Sequence, residues 1–135
     1  MNILEQALYT TLTGGTALTA LLAGTACVYN QSIPASGEYP CVVFAFGGGG
    51  DANATPIRRK DVVYSVKAIS QTSVANAGSI DAAIDSLLHN KGLTIAGWSN
   101  WWAAREGDIS YTEVTERGER YYHNGGVYRF RLSAE

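Results

Sequence analysis

The sequence predicts an α+β fold: a mostly antiparallel sheet with one long and one or two short helices packed on one face. Three observations carry this. Apolar residues recur at helical spacing at the start and again in the middle of the chain. Between and after those stretches they alternate with the period of two that marks strands. The length, 135 residues, suits one domain over 1–135, with no internal repeat or linker.

Ile3, Leu4, Ala7, Leu8 and Leu12 form the stripe of a first amphipathic helix, which Gly14 and Gly15 stop. Thr16 can cap a second, short helix running through Leu21 and Leu22. Residues 26–29 read as a short strand, and Ser32, Pro34, Ser36 and Gly37 mark a loop. Residues 41–46 are six apolar residues in a row, which predicts a strand covered on both faces.

Gly47, Gly48, Gly49 and Gly50 then open a long flexible loop, 47–60, that passes Asp51 and ends in Arg58, Arg59 and Lys60. Residues 61–70 alternate as a strand, so the two strands pair as a hairpin with this loop as its tip. Ser73 caps the best helix of the chain, which runs to about Asn90 with Val74, Ala77, Ile80, Ile84, Leu87 and Leu88 inward. His89 and Lys91 suit the negative end of its dipole, and Gly92 ends it. A strand or strand edge follows at Trp98, Trp101 and Trp102, and another strand spans 109–115. Tyr128, Phe130 and Leu132 alternate with Arg129 and Arg131 in a last, half-buried strand. Asn124 and Gly125 are open to two readings. They form a hairpin turn that splits 121–132, or a bulge in one strand, and the shortness of 120–123 favours the bulge.

Composition narrows the function. Ten Lys and Arg oppose twelve Asp and Glu, which excludes binding of nucleic acid through bulk positive charge. Residues 1–50 hold only two charges, Glu5 and Glu38. A chain this short buries only about two-thirds of its unfolded surface, so a charge-poor stretch leaves apolar surface for a partner or another copy. The apolar segment 17–29 is shorter than the ~20 residues of a spanning helix. It also lacks the preceding positive charge of a signal peptide. No membrane association and a cytoplasmic site of synthesis are therefore expected, with Cys27 and Cys41 reduced.

The catalytic signals are weak. The four glycines lead through Pro56 into a strand, whereas a phosphate loop needs Gly-Lys-Ser/Thr and a following helix. His89 and His123 are the only histidines, and neither has a second His or Cys at metal-site spacing. Asp81 and Asp85 lie on the polar side of their helix and are expected to be exposed. Glu113, Glu116 and Glu119 argue against an anionic partner beside the aromatic residues. Neither an enzyme nor a cofactor is expected. Adjacent Trp101 and Trp102 cannot both face inward in an extended chain, so one belongs to a surface or an interface.

The run of segments is similar to a known family. An opening helix at 7–12, Val28 and Tyr29, the strand 40–44, a variable loop, 63–66, the helix 80–88, and the closing 121–123 and 128–131 together resemble the tail-completion, or tail-terminator, proteins of long-tailed bacteriophages and prophages. The resemblance implies a virion protein without catalytic residues. Such proteins form a hexameric ring on the finished tail tube, end its polymerisation and present a surface to head-neck proteins. The implied partners are further copies of the chain, the tube protein and a head-completion or stopper protein. Gly47–Gly50, Asp51, Arg58, Arg59, Lys60, Trp101 and Trp102 are the candidate interface residues, the three cations meeting acidic partner groups as the loop orders in the particle. Two rival readings are a stopper or adaptor of the neck and a small ligand-binding domain with a pocket below the tryptophans.

Overall fold

The computed structural model describes residues 2–135. Its elements are α1 (Asn2–Gly14), α2 (Thr16–Thr19), β1 (Val28–Asn30), β2 (Cys41–Asp51), β3 (Arg59–Ser70), α3 (Val74–Leu88), β4 (Thr94–Ile95), β5 (Trp98–Val114) and β6 (Arg120–Ala134). The strands form one curled sheet in the order β1-β2-β3-β6-β5-β4. β1 runs parallel to β2 and the other pairs are antiparallel, so the sheet is mixed. The expected single long helix is instead two helices of similar length, 13 residues in α1 and 15 in α3.

Both helices bury their predicted stripes on one side of the sheet. Leu4, Leu8 and Leu12 of α1 and Ile80, Ile84 and Leu88 of α3 are fully buried, as are Tyr64, Tyr128, Phe130 and Leu132 beneath them. α1 touches β1 at one edge and β4 at the other, so the curled sheet closes around it. The ends differ in detail from expectation. Ser73 caps α3 by accepting a hydrogen bond from the Asn76 amide at 3.0 Å. Past Leu88 the left-handed turn falls on Asn90 (φ 57°), not on Gly92. Thr16 begins α2 and gives it no side-chain cap, and that helix stops at Thr19.

Three expectations about strands are corrected. First, Gly47–Asp51 belongs to β2, with Gly48, Gly49, Gly50 and Asp51 paired to Val63, Val62, Asp61 and Lys60. The connecting loop shrinks to 52–58, because glycine permits the irregular backbone that carries β2 past its bulge. Gly49 (φ +98°) lies so close to β3 that a Cβ would collide with the Asp61 carbonyl. Second, the tryptophan strand and the strand expected at 109–115 are a single 17-residue β5. Third, β6 pairs without a break through Asn124 and Gly125, so neither a turn nor a bulge occurs there. The register shifts lie in β5 instead, between Asn100 and Trp102 and between Arg105 and Gly107.

Gly125 and Gly126 have a packing role. A Cβ on Gly125 would sit against the Lys67 backbone, and one on Gly126 would lie 2.7 Å from the Arg105 guanidinium carbon. Gly125→Ala should therefore cost about 2 kcal/mol or more of folding stability, measured by denaturant unfolding. A loss within ~0.5 kcal/mol, as for an ordinary surface substitution, would contradict this packing.

Candidate functional site

The two register shifts in β5 decide which side chains face the helices. One extra residue reverses the in-out alternation, and a second restores it. Between them, Ala103 and Arg105 turn toward the helices, while Trp102 and Ala104 turn outward opposite Arg131 and Arg129.

Arg105 thereby enters a partly buried network. It grips both oxygens of Asp81 on α3 at 2.8 and 3.0 Å. It also donates to the Gly125 carbonyl, to Tyr128 Oη and to Asp108. The paired Asp81 carboxylate, foremost, holds the guanidinium more firmly in its charged form than usual. Burial pushes the Tyr128 hydroxyl up, so it stays protonated and donates to Asp85 at 3.1 Å. Asp81, expected to be exposed, is only 13% exposed. Near it, His89 Nδ1 accepts a hydrogen bond from the Arg105 amide, so this ring is bound to β5 as well as ending the helix.

The outer face of the sheet is more open. At the β2–β3 tip, Arg59, Asp61, Trp101 and Arg131 line a cleft of about 190 Å³ with Ala52 and Lys60. Arg131 lies 5.9 and 5.1 Å from the ring centres of Trp101 and Trp102. Both tryptophans are exposed, by 52% and 45%, because the bulge at Trp101 breaks the alternation that would have buried one. Arg129 joins Asp61 at 2.6 Å to Glu106 at 2.9 Å. Lys60 is already held by Asp51 at 2.7 Å, and Arg58 is exposed in the loop. The structure thus gathers Arg59, Trp101 and Trp102 near one end of the sheet, with Gly48 and Gly50 as an open shelf on the β2 edge beside them. The sequence reading gave no site role to Arg105, Asp61 or Arg131 and took Asp81 for an exposed residue. Only the alternation of Arg129 and Arg131 against the core residues of β6 pointed to any of them.

At the other end of the outer face, His123 stacks on Tyr111 with ring centres 4.3 Å apart and meets Glu113 at 3.1 Å. Lys67 bonds Tyr111 Oη at 2.7 Å beside it. Burial pushes the imidazole below its ordinary 6.5, more than Glu113 lifts it. Among the described residues no group of three or more His, Cys, Asp or Glu could hold a metal ion. Among the described residues, no helix is long and apolar enough to cross a membrane. The cleft on the other side of the tryptophans, lined by Asn90, Gly92 and Asn100, measures about 180 Å³. It adjoins a larger, open groove of about 730 Å³ along 92–100, which Trp98 also lines.

A family model described as tail completion protein gp17 matches residues 6–134. The chain belongs to this family. Tail completion proteins are structural components of virions. Among solved structures, a chain of the virion of a native gene transfer agent (GTA) particle has the same fold. It superposes with a TM-score of 0.75 at 19% identity, covering 98% of this chain and 96% of that one. No curated protein sequence matches significantly.

Two outcomes test this tail completion protein's internal contacts. Arg105→Met leaves Asp81 without its partner and should cost about 3 kcal/mol. Arg105→Met with Asp81→Asn should cost less than the sum of the two single changes by about 1 kcal/mol, and additive losses would contradict the ion pair. For His123, the lowered folded pKa means that the unfolded chain takes up the proton first as pH falls. Its contribution is therefore present above 6.5 and lost below it. Between about pH 7.5 and about pH 5.5 the thermal midpoint should fall less in His123→Gln than in the natural chain. An equal or larger fall in the variant would contradict the assigned direction.

Proposed function

We propose that this protein caps the finished tail tube as a hexameric ring, ends tube polymerisation and joins the tail to head-neck proteins. The observation that carries the reading is the family match over residues 6–134. The shape supports it. A closed ring of identical subunits needs two different surfaces on each copy, since every contact is head-to-tail. Two exposed parts of the sheet suit that role, the β2–β3 tip with its tryptophan and arginine cleft and the β5–β6 arm. The exposed Trp101 and Trp102, together with Arg131, have the residue chemistry that commonly anchors protein contacts.

The partners in this reading are further copies of the chain, the tube protein on one face of the ring and a head-completion or stopper protein on the other. No cofactor takes part. The experiment is to add the purified protein to tails that lack it. Tubes should stop growing at one length, carry added density at one end and become able to join filled heads. Binding to heads instead of tails would contradict the capping role and favour a stopper or adaptor.

A further inference from the structure

We propose that Cys27 and Cys41 form an oxidation site, closed by a disulfide once the virion is released into oxidising surroundings. They are the only cysteines of the chain, and both are free, buried thiols. β1 runs parallel to β2 with Val28 beside Val42, so Cys27 and Cys41 are the preceding pair in that register. Backbone hydrogen bonds fix the pair on either side. The Val42 amide donates to the Cys27 carbonyl at 2.9 Å, and the Ala23 amide donates to the Pro40 carbonyl at 3.0 Å. Neighbouring strands lie ~4.8 Å apart, inside the roughly 4.4–6.8 Å between Cα atoms that a disulfide spans. Partners in a parallel register also project from the same face of the sheet, so the two thiols face one another rather than opposite sides. Both side chains lie in the one apolar cluster of the core.

The surroundings of the two sulfurs set the order of the reaction. Cys27 keeps 8% of its surface exposed, whereas Cys41 is fully enclosed. Burial, and after it the neighbouring Cys27, pushes the Cys41 thiol up to about 12. Cys27 therefore meets the oxidant first. Its thiolate attacks hydrogen peroxide, breaking the O–O bond to give a sulfenic acid and hydroxide. The Cys41 sulfur then attacks the Cys27 sulfur, the S–O bond breaks, and the departing hydroxyl takes the Cys41 proton as water. The proton lost by Cys27 joins the hydroxide, so two thiols and one peroxide give one disulfide and two waters. The bond ties β1, three residues at the edge of the sheet, to β2. A virion protein is made among reduced thiols and carried out of the cell, so the link belongs to the finished particle.

Treating the folded full chain with hydrogen peroxide, then measuring intact mass and mapping peptides without reductant, tests the site. The mass should fall by two hydrogens, with the Cys27 and Cys41 peptides linked within one chain. The thermal midpoint should rise by about 5 °C or more and return on reduction, because the closed segment constrains the unfolded chain. In Cys27→Ala neither the loss of hydrogens nor the rise should occur. Oxygen added at Cys27 with Cys41 still a free thiol, a link between chains, or a disulfide that forms only after unfolding would overturn the proposal. In released particles unfolded with a thiol-alkylating reagent, both cysteines should stay unlabelled until a reductant is added. Labelling of both without reductant would overturn it as well.

Discussion

Everything distinctive in this fold depends on the Arg105 guanidinium and on the bulge that aims it. The extra residue at Trp101 reverses the alternation of β5, and the one between Arg105 and Gly107 restores it. Inside the stretch so reversed, a charged side chain points at the helix layer. There it is neutralised by Asp81 and hydrogen-bonded to Tyr128 and to the Gly125 carbonyl. An arginine in that position without partners would be costly, so strand, helix and central strand must come together in one arrangement. The same bulge turns Trp101 and Trp102 outward around Arg131. One local irregularity therefore builds both the clamp inside the subunit and the cleft outside it.

Much of this architecture was legible in the sequence where a regular period meets a single buried face. The stripes of α1 and α3 and the alternation of β3 and β6 were read correctly because helices cover only one side of the sheet. The parallel pairing of β1 could not be read, since three residues carry too little pattern to fix a direction. Glycine misled twice. Gly47–Gly50 suggested a loop and Asn124-Gly125 a possible turn, yet both lie within strands whose partners approach too closely for a side chain at Gly49 and Gly125. Bulges leave no sequence mark, so the clamp of Arg105 and Asp81 stayed hidden, and extended geometry placed only one of the two tryptophans on the surface.

The charge distribution takes on a physical meaning in the structure. The first fifty residues bury only one side of α1 and leave Ile3, Tyr9, Leu21 and Phe46 on an exposed surface that carries almost no charge. Charge collects on the outer face and at the two ends of the sheet, where Asp61, Glu106, Arg129 and Arg131 form a chain of ion pairs. Exposed pairs of this kind add little stability.

Imaging the protein in its native particle tests the central claim most directly. The account predicts a ring of six copies at the head-proximal end of the tail tube, with the same fold as the isolated chain. Copies found along the tube, at the distal tip or within the head, or a lone copy without ring symmetry, would contradict it.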